Sequence, residues 1–273
     1  MAKNLCNPWK YTGCVVVFVL LTACEGLFDG IYDQPPAAPA PAPTPTEVQT
    51  DSDSIGKVTI QGTLYIDASS WKDWYYVDLQ AMAQAVAAGR DIDSTVTAYP
   101  IPTTLTGEDD GRTGIYTYWF DVWVHGLSVN EYRSFKPIDP QPEPLNWTFA
   151  VHRNNVRTHG GAAYETTATS MEDVQFDRDH ATFVPDRWTE TEVWADQSQM
   201  IMNLIGSQGI EVNPVLSSWL RVDIPPMPPA FILNNHVFIL RLADGTYAAL
   251  QLENYQSATG TKCHLTIRYK YPL

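Results

Sequence analysis

The chain has 273 residues, a formal net charge of −14 and 44% apolar residues, enough to bury a sizeable core without covalent staples. An acidic surface is repelled by phosphate backbones and anionic head groups. That excludes the usual electrostatic routes to nucleic acid and to polybasic membrane contact.

Residues 1–23 have the layout of a secretory signal. Lys3 and Lys10 give a positive start, Cys14 to Leu21 is an apolar run too short to span a bilayer comfortably, and Leu21-Thr22-Ala23-Cys24 follows. Leu-Thr-Ala-Cys resembles a bacterial lipobox, which implies cleavage before Cys24 and lipidation of that cysteine; an ordinary signal peptide with a nearby cysteine is the alternative. Removing Lys3 and Lys10 takes the formal charge to −16. It also removes Cys6 and Cys14, so Cys263 is left alone and no intramolecular disulfide is available. Residues 24–54 read as a tether. Pro35, Pro36, Pro39, Pro41, Pro43 and Pro45 alternate with Ala and Thr, which favours extended polyproline II. With no second apolar span, a lipid on Cys24 would be the membrane attachment.

Residues 55–273 are expected to form one all-β domain, mostly antiparallel, with at most one or two short helices. Val58, Ile60, Leu64 and Ile66 share one parity and read as a strand. Trp71 to Leu79 is aromatic and strand-like. Ala81 to Ala88 favours helix, with Gly89 as its stop. Glu108-Asp109-Asp110-Gly111 is an acidic turn without the ligand spacing of a calcium loop. Ile115 to Val124 is a strand apolar on both faces, and Trp147, Phe149 and Val151 alternate into His152-Arg153. Asp173 to Thr191 reads as irregular, and Glu192 to Ile205 as an apolar segment holding Met200 and Met202. Leu220, Val222 and Ile224 alternate, and Phe231 to Leu242 reads as one deeply buried strand. Between them lies Pro225-Pro226-Met227-Pro228-Pro229, a stiff connection that holds up a thioether. Cys263 to Tyr271 closes the chain as a period-two strand with one wet face.

Catalytic signatures are absent. There is no Gly-x-Ser-x-Gly elbow, phosphate-binding glycine loop, dinucleotide fingerprint, His-Glu-x-x-His or Cys-x-x-Cys. The histidines lack ligand spacing; His152 follows an apolar strand and His236 lies inside one, and both read as hydrogen-bonded structural groups. The chain is therefore expected not to be an enzyme. Met227 either plugs a hole under its loop or meets something soft.

Four separated stretches carry a family resemblance. They are Tyr65 to Trp71 with Trp74-Tyr75-Tyr76, then Leu145 to Arg157, then Ser218-Trp219-Leu220 through Phe238, and last Ala243 to Leu252 continuing to Pro272. In this order they look like the HmuY-like haemophores, haem-binding lipoproteins of Bacteroidetes-type bacteria. The resemblance implies an all-β fold, a lipid anchor in the outer membrane, and capture of haem (iron protoporphyrin IX) for a TonB-dependent receptor. Host haemoproteins are then possible sources, and release from the cell surface a secondary state. The best-known branch holds the iron between two histidines. Here Ile224 and Ser198 fall near those positions, and the methionines of similar branches imply Met200 and Met227 as axial ligands, with Met202 a rival to Met200. Trp119, Trp123 and Trp194 are candidates to line a porphyrin cleft. The competing expectation is a lipid-anchored glycan-binding or structural surface module.

Overall fold

The computed structural model describes residues 47–49, 58–92, 96–101, 116–121, 140–197, 204–223 and 229–273, with backbone alone for 47–49, 116–121 and 204. Expectations for the signal, Cys24, most of the tether, the acidic turn at 108–111, Trp123, Met200, Met202 and Met227 lie outside those residues. Among the described residues the fold is all-β with one α-helix, as the alternation of apolar and polar residues predicts.

The largest sheet has seven antiparallel strands. They are β1 (Glu47–Gln49), β2 (Thr59–Asp67), β8 (Ala162–Glu165), β9 (Val184–Pro185), β14 (Phe238–Arg241), β15 (Tyr247–Gln256) and β16 (Lys262–Tyr271), in the order β1-β2-β16-β15-β14-β8-β9. A second sheet orders β4 (Val96–Pro100), β3 (Asp73–Val77), β6 (Phe149–His152) and β7 (Asn155–Thr158) as β4-β3-β6-β7. A third holds β10 (Arg187–Asp196), β11 (Leu204–Val212) and β5 (Tyr116–Asp121). Strands β12 (Leu220–Asp223) and β13 (Ala230–Leu233) pair only with each other among the described residues.

The second sheet separates two cores, because successive side chains on a strand point to opposite faces. Val77, Phe149, Val151 and Val156 face the main core with Leu250, Leu252, Leu265 and Ile267 of the large sheet. Trp74, Tyr76 and Ala150 face the other way and pack with Val193, Ile210 and Val212 of the third sheet. Trp74 is fully buried, and its Nε1 donates to Gln208 Oε1 at 3.0 Å, so that buried donor is satisfied within the second core.

Helix α1 (Leu79–Ala87) caps the main core with Leu79 and Met82. It starts at Asp78, whose side chain accepts from Ala81 N. It stops at Gly89, with φ +66, where Gly89 N and Arg90 N donate to Val86 O and Ala85 O. The expected helix thus begins two positions earlier than its composition suggested, because the cap at Asp78 recruits Leu79.

Two sequence expectations need correction. The run Phe231 to Leu242 is not one strand. It divides into β13, which pairs with β12, and β14, which lies between β8 and β15 in the large sheet. His236 therefore lies between strands rather than inside one, with Nδ1 2.8 Å from Glu165 Oε1. Asp173 to Thr191 is less irregular than its charge suggested, since β9 and the start of β10 fall inside it. The final strand, β16, keeps the expected alternation, with Lys262, His264, Arg268 and Lys270 half-buried between buried neighbours, and lies inside its sheet between β2 and β15.

Candidate functional site

Two hairpin stems frame the site. Strands β10 and β11 pair antiparallel with Asp196 opposite Gly206, and residues 198–203, which include Met200 and Met202, join them. Strands β12 and β13 pair with Asp223 opposite Ala230, and residues 224–228, which include Met227, join those. Each proposed ligand thus belongs to the segment that closes a hairpin.

Contacts run without a break from one stem to the other. Trp194 of β10 stacks on Trp71, with ring centroids 5.9 Å apart and planes at 10°. Pairing between β10 and β11 shifts on either side of the Val193–Trp194 step, and such irregularities re-aim side chains. The Arg153 guanidinium lies over the Trp71 ring, 4.0 Å from its centroid, and Nη1 donates to Ser69 O at 2.6 Å. Next to Ser69, Ala68 N donates to Cys263 O at 2.9 Å. Lys262, the neighbour of Cys263, holds Nζ 5.4 Å from the rings of both Phe231 and Tyr255. Phe231 belongs to β13 and stacks on Tyr255 at 5.7 Å and 9°. Trp71, Trp194 and Phe231 are only partly buried, so each stem has half-open aromatic rings with a cation beside them, and buried Ala68 and Cys263 join the two groups into a two-part shelf.

Local chemistry fixes this shelf. Asp67 Oδ1 accepts from Ser69 N and Ser69 Oγ, and Asp73 Oδ2 accepts from Ser70 Oγ, so the turn carrying Trp71 is tied at both ends. His152 is wholly buried, and its Nε2 lies 3.1 Å from Trp71 O. A carbonyl only accepts, so Nε2 carries the proton. Burial pulls the His152 pKa down to about 4, which keeps the ring neutral. Arg153 occupies the β6–β7 turn at φ 54, and Cys263 sits at φ 65. They are the non-glycine residues with positive φ among those described, and left-handed backbone at such side chains marks strain. The two are close enough that the Arg153 charge acts on the Cys263 thiol, although burial dominates and pushes that thiol's pKa up. Cys263 is buried, as its place in an alternating strand suggested, and is the only cysteine among the described residues.

Of the tryptophans expected near a cleft, Trp194 lies on the shelf, while Trp119 is placed only by its backbone, opposite Gly206. Sequence reasoning missed Trp71 and Arg153 as site residues, though both stood in the quoted stretches. The available signal was Arg153 beside Asn154-Asn155, a turn-forming pair between two apolar runs. No group of three or more His, Cys, Asp or Glu side chains among the described residues could hold a metal ion.

The HmuY protein family profile matches residues 70–269. The chain belongs to the HmuY family. Among solved structures it is similar to a candidate HmuY-like heme-binding protein from Bacteroides vulgatus, with 29% identity over 78% of this chain and 92% of that one, and a TM-score of 0.54. A candidate lipoprotein from Bacteroides fragilis matches at 25% identity over 81% and 92%, with a TM-score of 0.55. The apo HmuY analogue of Tannerella forsythia shares the fold, with 21% identity over 81% and 100% and a TM-score of 0.57. No curated protein sequence matches the chain.

Proposed function

We propose that this member of the HmuY family binds haem between its two hairpins, with Met227 and Met200 as axial ligands and Met202 the alternative to Met200. The observation that carries the reading is a half-open aromatic group with a cation beside it at each of the two hairpin stems whose connecting segments contain the methionines. A porphyrin is a flat apolar disk with carboxylates along one edge, and stacked rings with adjacent cations suit both parts of it. Family membership and the heme-binding description of the Bacteroides vulgatus protein support the same reading.

Thioether sulfur is a soft ligand to haem iron, and the pair should favour the reduced metal. The protein's own contribution is binding and orientation, with no turnover. Cys24 would carry the lipid, residues 24–54 would hold the domain at 55–273 off the outer membrane, and a TonB-dependent receptor would take the haem. An absorbance titration with haemin, and again with dithionite-reduced haem, tests the site. Wild type should give a Soret band, stronger binding on reduction, and loss of that preference in Met227→Ala or Met200→Ala. A glycan-binding module is the second reading, since half-open tryptophan rings also suit sugars. Glycan binding with no Soret band would favour it.

A further inference from the structure

We propose that Arg153 is the carboxylate receptor of this site and takes a propionate of the bound porphyrin as a charge-assisted pair. The inference rests on the haem-binding reading and adds the group that orients the ligand and selects its free-acid form.

The guanidinium is half-buried and held in place on two sides. Trp71 lies under its plane at 4.0 Å, and Ser69 O accepts from Nη1 at 2.6 Å. That hydrogen bond uses one of five N–H donors. Among the described residues no carboxylate pairs with Arg153, although acidic residues outnumber Lys and Arg by 31 to 17. Arg157, Arg221 and Arg268 face Glu143, Asp223 and Glu172 instead. Asp67, at the end of β2, is engaged by Ser69 and His264. The hairpin closures, Ser198 to Asn203 and Ile224 to Pro228, contain no Asp or Glu, so neither brings a counter-charge.

Arg178 and Arg241 also lie over rings, but those rings, Tyr247 and Phe183, belong to a separate aromatic cluster. What distinguishes Arg153 is its place between the stems and its backbone at φ 54, a conformation that holds a side chain at some cost. A guanidinium fork matches a carboxylate bidentately, and this one is already held against the Trp71 ring and by Ser69 O, so less freedom remains to be lost on binding.

The test compares haemin with its propionate dimethyl ester by Soret titration. Wild type should hold haemin about tenfold or more tighter than the diester. Arg153→Gln should bind both porphyrins alike, near the wild-type level for the diester. Arg153→Lys, which keeps charge and loses the fork, should fall between. Equal wild-type affinity for acid and ester overturns the inference and leaves the haem reading standing. So does an acid preference that survives in Arg153→Gln. The ester comparison needs no variant, so it decides the matter even if Arg153→Gln fails to fold. No Soret band with either porphyrin overturns both.

Discussion

His152 ties the shelf to the fold and makes it sensitive to acid. Its pKa falls to about 4 from an ordinary 6.5, through burial first and the Arg153 charge second, opposed by its hydrogen bond to Trp71 and by Asp73. The folded state therefore binds fewer protons than the unfolded chain between those values. Stability from this group is full above about pH 6.5 and is lost as pH falls toward 4, by about 3 kcal/mol in total. Urea midpoints taken from pH 8 to pH 4 should show that decline, and His152→Gln should flatten it. If methionines ligate the iron as proposed, the ligands have no proton to gain in this range, so haem loss in mild acid should track unfolding rather than precede it. Circular dichroism recorded beside the Soret band distinguishes the two. Elsewhere, Gln208→Leu removes the acceptor of Trp74 Nε1 inside the second core. It should cost about 1–3 kcal/mol by chemical denaturation, because a buried donor is left without a partner.

At the scale of elements, α1 is held by its ends and by two buried side chains. Asp78→Ala should cost about 1 kcal/mol through loss of the cap to Ala81 N. Gly89→Ala should cost about 1–2 kcal/mol through φ alone, since nothing lies within 4 Å of an added Cβ. Denaturation midpoints check both, and haem affinity should not change in either variant, because no shelf contact involves the helix. The hairpins illustrate what alternation reveals and what it hides. Leu220 and Val222 in alternation were legible as a strand that meets a proline block. The return strand was not, because Phe231 to Leu242 is apolar throughout. Only pairing partners show that Asn234 to Val237 carry the chain from one sheet to another.

Considered as a whole, the molecule is a frame that brings two hairpin stems to a common shelf, and ligand binding there should stabilise the frame. Haem present at a hundredfold excess over its dissociation constant should raise unfolding free energy by about 2.7 kcal/mol. Urea denaturation with and without haem measures this, and an unchanged midpoint would exclude binding to the folded state. The formal charge of −14 works against a second anion, so the positive character needed for a propionate has to be local. On the proposal above, Arg153 supplies it.

Sequence alone was enough to determine the strand-rich class, the helix with its glycine stop, the kinship with the HmuY family and the methionines as candidates. Each of these is written in local periodicity, turn chemistry or motif order. The shelf was decided only by tertiary structure. Residues 71, 153 and 194 meet in one group and 231 and 262 in another, through strand pairings and turns far apart in the chain. Period-two alternation says which side of a strand a residue takes, but not which sheet will lie against it. Trp71 and Arg153 therefore read as a turn aromatic and a turn cation until folding set one upon the other.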